Sequence, residues 1–390
     1  MKTCMVAYSF YEFDNRVMRY AEALAERGDQ VDVLSLGGKH DAPIETINGV
    51  RVHRIQTREY DERGKLSYLS RMLKFFARSS WLLAREHVRR PYDLIHVHSL
   101  PDFEVFAAFL PKLLGAKVIL DIHDIVPEFY ASKFGISQDA LSYKTLKWIE
   151  RRSAAFSDHV IISNHLWEKL LIERAVEQAK CSTYLNYPDS RLFNCALRTR
   201  KDDGRIIMIY PGSLNWHQGL DIAVKAFDLI KDSAPEAEFH IYGTGGIKQQ
   251  LGLLIEERKL QNRVKLLEGR PIKEIAGIMA NADIGIVPKR DDSFGGEAFS
   301  TKILEFMALG VPVIAANTRI DRYYFNDSIV KFFQAGDEQS LAAAMLSLIR
   351  NRGLRKDLAA NALCYVAQQS WDIKRQDYLD LVDRLVKGPA

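Results

Sequence analysis

Along the chain, short apolar runs alternate with stretches in which apolar residues recur every three or four positions, separated by Gly, Pro, Asn or Asp. Residues 3–8 read as a buried strand, 17–27 as an amphipathic helix stopped by Gly28, and 31–34 as a second strand. The rhythm continues with strands over 93–97, 117–120, 159–162 and 182–185 and helices over 103–114 and 141–156; Ser163-Asn164 is placed to cap a further helix. The polar run 198–204 reads as a linker. Beyond it, strands are predicted over 205–210, 238–242, 264–267, 284–287, 311–314 and 329–332, and helices over 300–309, 338–351, 354–369 and 371–386. Strands and helices in alternation make parallel sheets covered by helices, and 390 residues suffice for two such cores.

The most informative unit is the strand, loop, helix, strand segment from Asp283 to Ala316. Ligands of parallel sheets bind outside the carboxyl ends of the strands, here at the loop carrying Gly295, Gly296 and Glu297. Backbone N–H groups of Ser300, Thr301 and Lys302 open the following helix and favour an anion. Glu297 in the loop and Glu305 on the helix offer carboxylates that accept hydrogen bonds from neutral hydroxyls. Acceptors for hydroxyls beside donors for phosphate describe a nucleotide-sugar site.

The run Glu297-Ala-Phe-Ser-Thr-Lys-Ile-Leu-Glu305, followed by Phe-Met-Ala-Leu-Gly-Val-Pro-Val-Ile, resembles the E-x7-E signature of the retaining glycosyltransferases of family four. That family has the GT-B fold, so the resemblance implies an α/β chain of two Rossmann-like doubly wound domains facing each other across a cleft. Residues 1–190 would form the acceptor-binding domain, joined by a returning C-terminal helix over 371–390, and residues 204–370 the nucleotide-sugar-binding domain. The implied reaction moves a hexosyl group from a nucleoside diphosphate sugar to a hydroxyl acceptor, with retention and without metal or other cofactor. Polysaccharide or glycolipid assembly at the cell surface is the implied setting. Glu297 would meet the sugar hydroxyls, Glu305 the ribose, and the backbone of Phe299, Ser300, Thr301 and Lys302 the diphosphate. His123, after the strand at 117–120, matches the histidine that meets the donor sugar at the reaction centre; a structural role is the other reading.

The remaining donor-binding candidates are loop residues. Gly212, Ser213, Asn215 and Gln218 follow the strand at 205–210; Gly243 and Gly245 follow the strand at 238–242; Arg270 follows the strand at 264–267, with the base expected between the last two loops. Here the chain departs from the family pattern. The usual Arg and Lys that neutralise the leaving diphosphate are replaced by Ser213 and Gln218, which carry no charge. Lys302 is the first candidate to replace them, with Arg290 and Arg16 behind it. In the first loop the usual Gly pair is absent, and Glu12, Asp14, Asn15 and Arg16 are the acceptor-binding candidates; Asp14 is equally placed to cap the next helix.

Composition narrows the partners. Apolar content of 47% and charged content of 27% are ordinary for a globular chain, and a net charge of +4 gives no footing for nucleic-acid binding. The four cysteines lack metal-ligand spacing, which fits a reduced cytoplasmic setting. No signal peptide or membrane-spanning run is read. Segment 63–90 stands apart, with eight Lys or Arg (Arg63, Lys65, Arg71, Lys74, Arg78, Arg85, Arg89, Arg90) and Glu86 as its one acid. With an apolar stripe at Leu66, Leu69, Leu73 and Phe76, it suits either a core-packing helix with a solvated basic face or a helix on an anionic membrane surface. The second reading would place the enzyme peripherally on the inner face of the membrane, acting on a lipid-linked or sugar acceptor. His96 and His98 share one strand face, but no third residue of convincing spacing completes a metal site. Two other classes share the architecture: a sugar-nucleotide epimerase and a catalytically silent sugar-nucleotide-binding protein.

Overall fold

The computed structural model of the chain describes residues 1–58, 65–292 and 294–388. These form two units, one made of Met1–Asn186 with the segment from Arg375 onward, the other of Tyr187–Lys374.

The first unit is built on an eight-stranded sheet. In chain order its strands are β1 (Lys2–Phe10), β2 (Gln30–Gly37), β3 (Ile44–Ile47), β4 (Val50–Thr57), β5 (Leu94–His98), β6 (Lys117–Ile122), β7 (His159–Ile162) and β8 (Cys181–Thr183). Their spatial order is β3-β4-β2-β1-β5-β6-β7-β8, parallel throughout except where β3 runs against β4. The β3–β4 hairpin was not expected from the apolar runs. It turns on Asn48-Gly49, both at positive φ (49° and 80°), the pair favoured in two-residue hairpin loops. The helices are α1 (Asn15–Glu26), α2 (Lys65–Arg89), α3 (Phe109–Leu113), α4 (Val126–Phe134), α5 (Leu141–Phe156) and α6 (His165–Arg174). Asp14 caps α1, its Oδ1 accepting from Val17 N at 3.2 Å, and Asn164 caps α6 through Trp167 N at 2.9 Å.

Two expectations are corrected here. Residues 103–114 are not one α-helix: Asp102–Ala108 winds as a 3-10 segment, and only Phe109–Leu113 is α-helical. Pro111 sits in the first turn of that short helix, where its missing N–H has no partner to lose. In α2 the buried stripe is Met72, Phe75, Ser79 and Leu83, while Leu69 and Leu73 face outward. Arg63 lies outside the described residues.

The second unit carries a six-stranded, all-parallel sheet in the order β11-β10-β9-β12-β13-β14. Its strands are β9 (Ile206–Pro211), β10 (Ala237–Tyr242), β11 (Val264–Leu267), β12 (Ile284–Val287), β13 (Val313–Ala316) and β14 (Lys331–Phe333). Its helices are α7 (Leu220–Ile230), α8 (Lys248–Glu257), α9 (Ile272–Ala280), α10 (Thr301–Ala308), α11 (Arg319–Tyr324), α12 (Glu338–Arg350) and α13 (Arg352–Val366). Strand alternation splits the core in two. Met208, Tyr210, Ile286 and Ile314 pack with α7, α8 and α12, while Ile209, Val287, Val313 and Ala315 pack with α9, α10 and α13. Strand order reverses between β9 and β12, so the connections leaving their carboxyl ends run to opposite sides and open the crevice in which such sheets hold ligands.

The last helix, α14 (Trp371–Lys387), belongs to the first unit from Arg375 onward. There Arg375 pairs with Glu26 at 2.6 Å, Asp383 with Arg27 at 3.0 Å, and Tyr378 Oη meets His96 Nδ1 at 3.0 Å. No described helix is long and apolar enough to cross a membrane.

Candidate functional site

In the second unit, the loops leaving β9, β10 and β11 and the start of α10 surround a pocket of about 420 Å³, within the range of small-molecule sites. The β9 loop contributes Pro211, Gly212 and Ser213, the β10 loop Gly243 and Thr244, and the β11 loop Gly269 and Arg270. Thr301, Lys302 and Glu305 face it from α10; Phe193, Ile272, Ile275 and Met279 supply an apolar wall. The loops are tied together by main-chain bonds: Gly212 N donates to Tyr242 O at 2.9 Å, and Leu214 N to Thr244 O at 2.8 Å. Tyr210 Oη donates to Ser213 O at 2.8 Å, fixing the β9 loop from below.

Seven of the donor candidates therefore line one pocket: Gly212, Ser213, Gly243, Arg270, Thr301, Lys302 and Glu305. The others lie around it. Asn215 and Gln218 bracket the one-turn segment Trp216–Gln218, with Gln218 N donating to Asn215 O at 3.0 Å. Gly245 serves packing, since a Cβ there would stand 2.4 Å from Leu214 O. Phe299 is directed into the core beside Tyr324 and Phe325 at ring distances of 5.0 and 6.0 Å. Ser300 is the N-cap residue of α10, its Oγ buried without a partner among the described residues. The Glu297 carboxylate accepts from Arg319 at 2.8 Å.

The loop carrying Glu297 is held from behind by buried charge. Lys289 Nζ donates to Ala298 O at 2.7 Å and pairs with Asp321 at 3.0 Å; Thr318 Oγ1 donates to the same carboxylate at 2.8 Å. Burial pushes Asp321 up and Lys289 down from their ordinary values, outweighing their mutual attraction. Ile320 N donates to Gly296 O at 3.0 Å, so α11 also fastens the loop. None of this support was expected from sequence, because Lys289 and Asp321 are far apart in the chain and neither lies in a recognisable motif.

Of the cations considered for the diphosphate, two are committed elsewhere. Arg290 makes two 2.7 Å bonds to Asp221 and lies 3.6 Å from the Trp216 ring centre. Arg16 is buried in the first unit, bonded to both oxygens of Asp121 at 2.7 Å and to Tyr184 O at 2.7 Å. The structure thus makes Arg16 a buried partner of Asp121. Its neighbours in the same loop also have local partners: Glu12 forms an ion pair with Arg54, Asp14 caps α1 while accepting from Ser9 Oγ at 2.8 Å, and Asn15 O accepts from Arg19 at 3.0 Å.

Sheet register in the first unit produces a cluster that spacing conceals. His98 on β5 pairs with Asp121 on β6, bringing His96, His98 and Asp121 together, with His123 just past the strand end. Asp121 Oδ2 is 3.2 Å from His98 Nδ1 and 3.3 Å from His123 Nε2, and His98 Nδ1 is 3.3 Å from His123 Nε2. Burial works against ionisation of Asp121, but Arg16 and His123 outweigh it and hold the carboxyl well below its usual range. Burial lowers His98 and, more strongly, His96. Asp121 is the third ligand-type residue that the sequence did not reveal beside the histidine pair. Both its oxygens are engaged by Arg16, whose guanidinium supplies the positive charge that a metal would bring.

Two family descriptions match the chain, one in each unit: a glycosyl transferase 4-like domain over residues 14–184 and glycosyl transferases group 1 over residues 198–363. The chain has the GT-B fold, and both matching descriptions are of glycosyl transferases. Among its relatives, the amylovoran biosynthesis glycosyltransferase AmsK of Erwinia amylovora is 28% identical over 47% of the chain and 46% of AmsK. The phosphatidyl-myo-inositol mannosyltransferase of Propionibacterium freudenreichii is 24% identical over 69% of the chain and 66% of that protein. The matched region is thus about half the length of the first relative and about two thirds of the second. The fold is that of sucrose-phosphate synthase from Thermosynechococcus elongatus (TM-score 0.81, 17% identity, both chains covered completely). It is also that of Anabaena Alr3699/HepE in complex with UDP and glucose (TM-score 0.75, 18% identity, 99% and 100% covered).

Proposed function

We propose that the chain is a retaining, metal-independent glycosyltransferase of family four, moving a hexosyl group from a nucleoside diphosphate sugar to a hydroxyl acceptor in cell-surface glycan or glycolipid assembly. The observation that carries this reading is the pocket of the second unit, where Glu305 and Lys302 of one helix face glycine-bearing loops from the carboxyl ends of three parallel strands. Glu305 is assigned the ribose hydroxyls and Glu297 the sugar hydroxyls, and the start of α10 the diphosphate. His123 keeps the sugar-facing role that the family resemblance implies. In the reaction, the anomeric carbon–oxygen bond to the diphosphate breaks, a bond to the acceptor oxygen forms, and the acceptor proton passes to the released diphosphate. Fixed amides meet charge as it grows on the leaving group, and losing one such donor typically raises the barrier by about 3 kcal/mol.

The names of the relatives support a carbohydrate or lipid-linked acceptor, and one surface of the first unit supports work at an anionic membrane. Helices α2, α3 and α5 follow crossovers in the same direction along the sheet and therefore cover the same face. Their outward residues include Trp81 (62% exposed), Phe109, Leu113 and Trp148 (58% exposed), with Arg85 lying 5.2 Å over Trp81 and Arg152 5.6 Å over Trp148. Aromatic residues flanked by cations suit a boundary between apolar chains and anionic headgroups.

The deciding experiment is product analysis with UDP-, GDP- and ADP-sugars. A new glycosidic bond of unchanged anomeric configuration supports the proposal; an isomerised sugar nucleotide indicates an epimerase. Donor hydrolysis that is equally absent in wild type and Glu297→Ala indicates a silent binding protein.

A further inference from the structure

The β9 loop, which lines the pocket with Pro211, Gly212 and Ser213, carries no Lys or Arg. Ser213 and Gln218 are neutral, and Arg290 and Arg16 are held by Asp221 and Asp121. Lys302 reaches this loop from the opposite wall. A Cβ added at Gly212, whose φ is +139°, would lie 2.5 Å from Lys302 Cε and 3.2 Å from its Nζ. The lysine stem thus crosses directly over Gly212, in room that only glycine leaves. Its Nζ lies 5.2 Å from the Tyr210 ring centre, and Tyr210 in turn holds the Ser213 carbonyl. Lys302 is also the second residue of α10, so its ammonium and the first free N–H groups of the helix serve the same corner of the pocket.

Resting on the reading of this pocket as a nucleotide-sugar site, we propose that Lys302 is the cation that binds the leaving diphosphate, with Gly212 as the gap that admits it. The position at the switch point between β9 and β12 distinguishes it from Arg270, which stands at the end of β11, two strands from β9. Burial lowers Lys302 from its ordinary range, more than Glu305 raises it, so part of its charge is solvated poorly until an anion arrives. A diphosphate at this corner forms a charge-assisted hydrogen bond with the Lys302 ammonium.

The test is calorimetric titration of nucleoside diphosphates (UDP, GDP and ADP) and the corresponding nucleosides into wild type, Lys302→Gln, Lys302→Arg and Arg270→Gln. A charge-assisted bond corresponds to roughly 10- to 100-fold in affinity. Lys302→Gln should weaken the diphosphate by that factor and leave the nucleoside unchanged, with Lys302→Arg recovering part of the loss. Retained nucleoside binding shows that the variant is folded. Equal losses for diphosphate and nucleoside would make Lys302 structural and overturn the inference. So would a diphosphate-selective loss in Arg270→Gln alone. Wild type that binds diphosphate no better than Lys302→Gln overturns this inference while leaving the pocket assignment intact. Wild type that binds neither compound overturns both.

Discussion

Replacing Lys289 by Met isolates the contribution of the buried pair behind the Glu297 loop. Lys289 and Asp321 are 3.0 Å apart and at most 5% exposed, and among the described residues the Asp321 carboxylate keeps only the Thr318 hydroxyl when the lysine is gone. An unpaired buried carboxylate costs about 3–5 kcal/mol. The alternative is to take up a proton, which at pH 7 costs about 4 kcal/mol for a group whose ordinary value is 3.8. Both routes predict a loss of roughly 3–4 kcal/mol at pH 7. Asp321 in the variant has a folded-state pKa raised above its unfolded value, so the deficit grows as pH rises and is recovered on acidification. The recovery is about 1.4 kcal/mol per pH unit below 7. Urea unfolding at pH 5, 6 and 7 measures this directly. Lys289→Met/Asp321→Leu should return to within about 1–2 kcal/mol of wild type, because an apolar pair needs no charge compensation. Its transfer activity should stay depressed, since the Ala298 carbonyl has lost its anchor. A loss that does not change between pH 5 and pH 7, or one below about 1 kcal/mol, would show that the lysine does not compensate the buried Asp321 charge.

Two further predictions concern the first unit. Glu104 is fully buried, hydrogen-bonded by Ser79, and pushed up by burial to about 8. Its folded-state value lies above the unfolded one, so the stability it contributes is present in acid and lost as pH rises from about 5 to 8. Glu104→Gln should flatten that part of the thermal-stability profile, and an unchanged profile counts against the assignment. On the face formed by α2, α3 and α5, vesicles rich in anionic lipid should sediment wild type at low salt and release it at high salt. Trp81→Ser/Trp148→Ser should bind at least tenfold more weakly at constant salt; binding to neutral vesicles of equal strength would rule out the electrostatic part.

Most sheet strands were legible because buried parallel strands are short apolar runs between turn residues: all six strands of the second sheet and six of the eight in the first were read from that pattern, while β3 and β4 were missed and the doubly wound arrangement came from the family resemblance. The Asn48-Gly49 hairpin carried a usable signal, alternating residues around a two-residue turn, that the apolar runs alone do not show. Other features depend on distance in space. The His98–Asp121 contact arises from the register of β5 on β6, and the Lys289–Asp321 pair from α11 folding back under β12. Neither leaves a mark in local sequence. The outward position of Leu69 and Leu73 was misread for a related reason: an apolar stripe reports a face, and here α2 presents apolar residues on two faces. The gathering of Gly212, Lys302 and Glu305 in one pocket follows from strand order, with β9 beside β12, which no single segment discloses.

In the proposed function, one pocket in the second unit holds an activated sugar nucleotide by its ribose and diphosphate. Titration calorimetry of UDP-, GDP- and ADP-glucose into wild type and Glu305→Ala tests it most directly. At least one of the three should bind wild type, and removing the carboxylate should weaken it by roughly 10- to 100-fold, the worth of hydrogen bonds to a charged acceptor. Heat signals absent for all three compounds, or equal affinities for the two proteins, would contradict it.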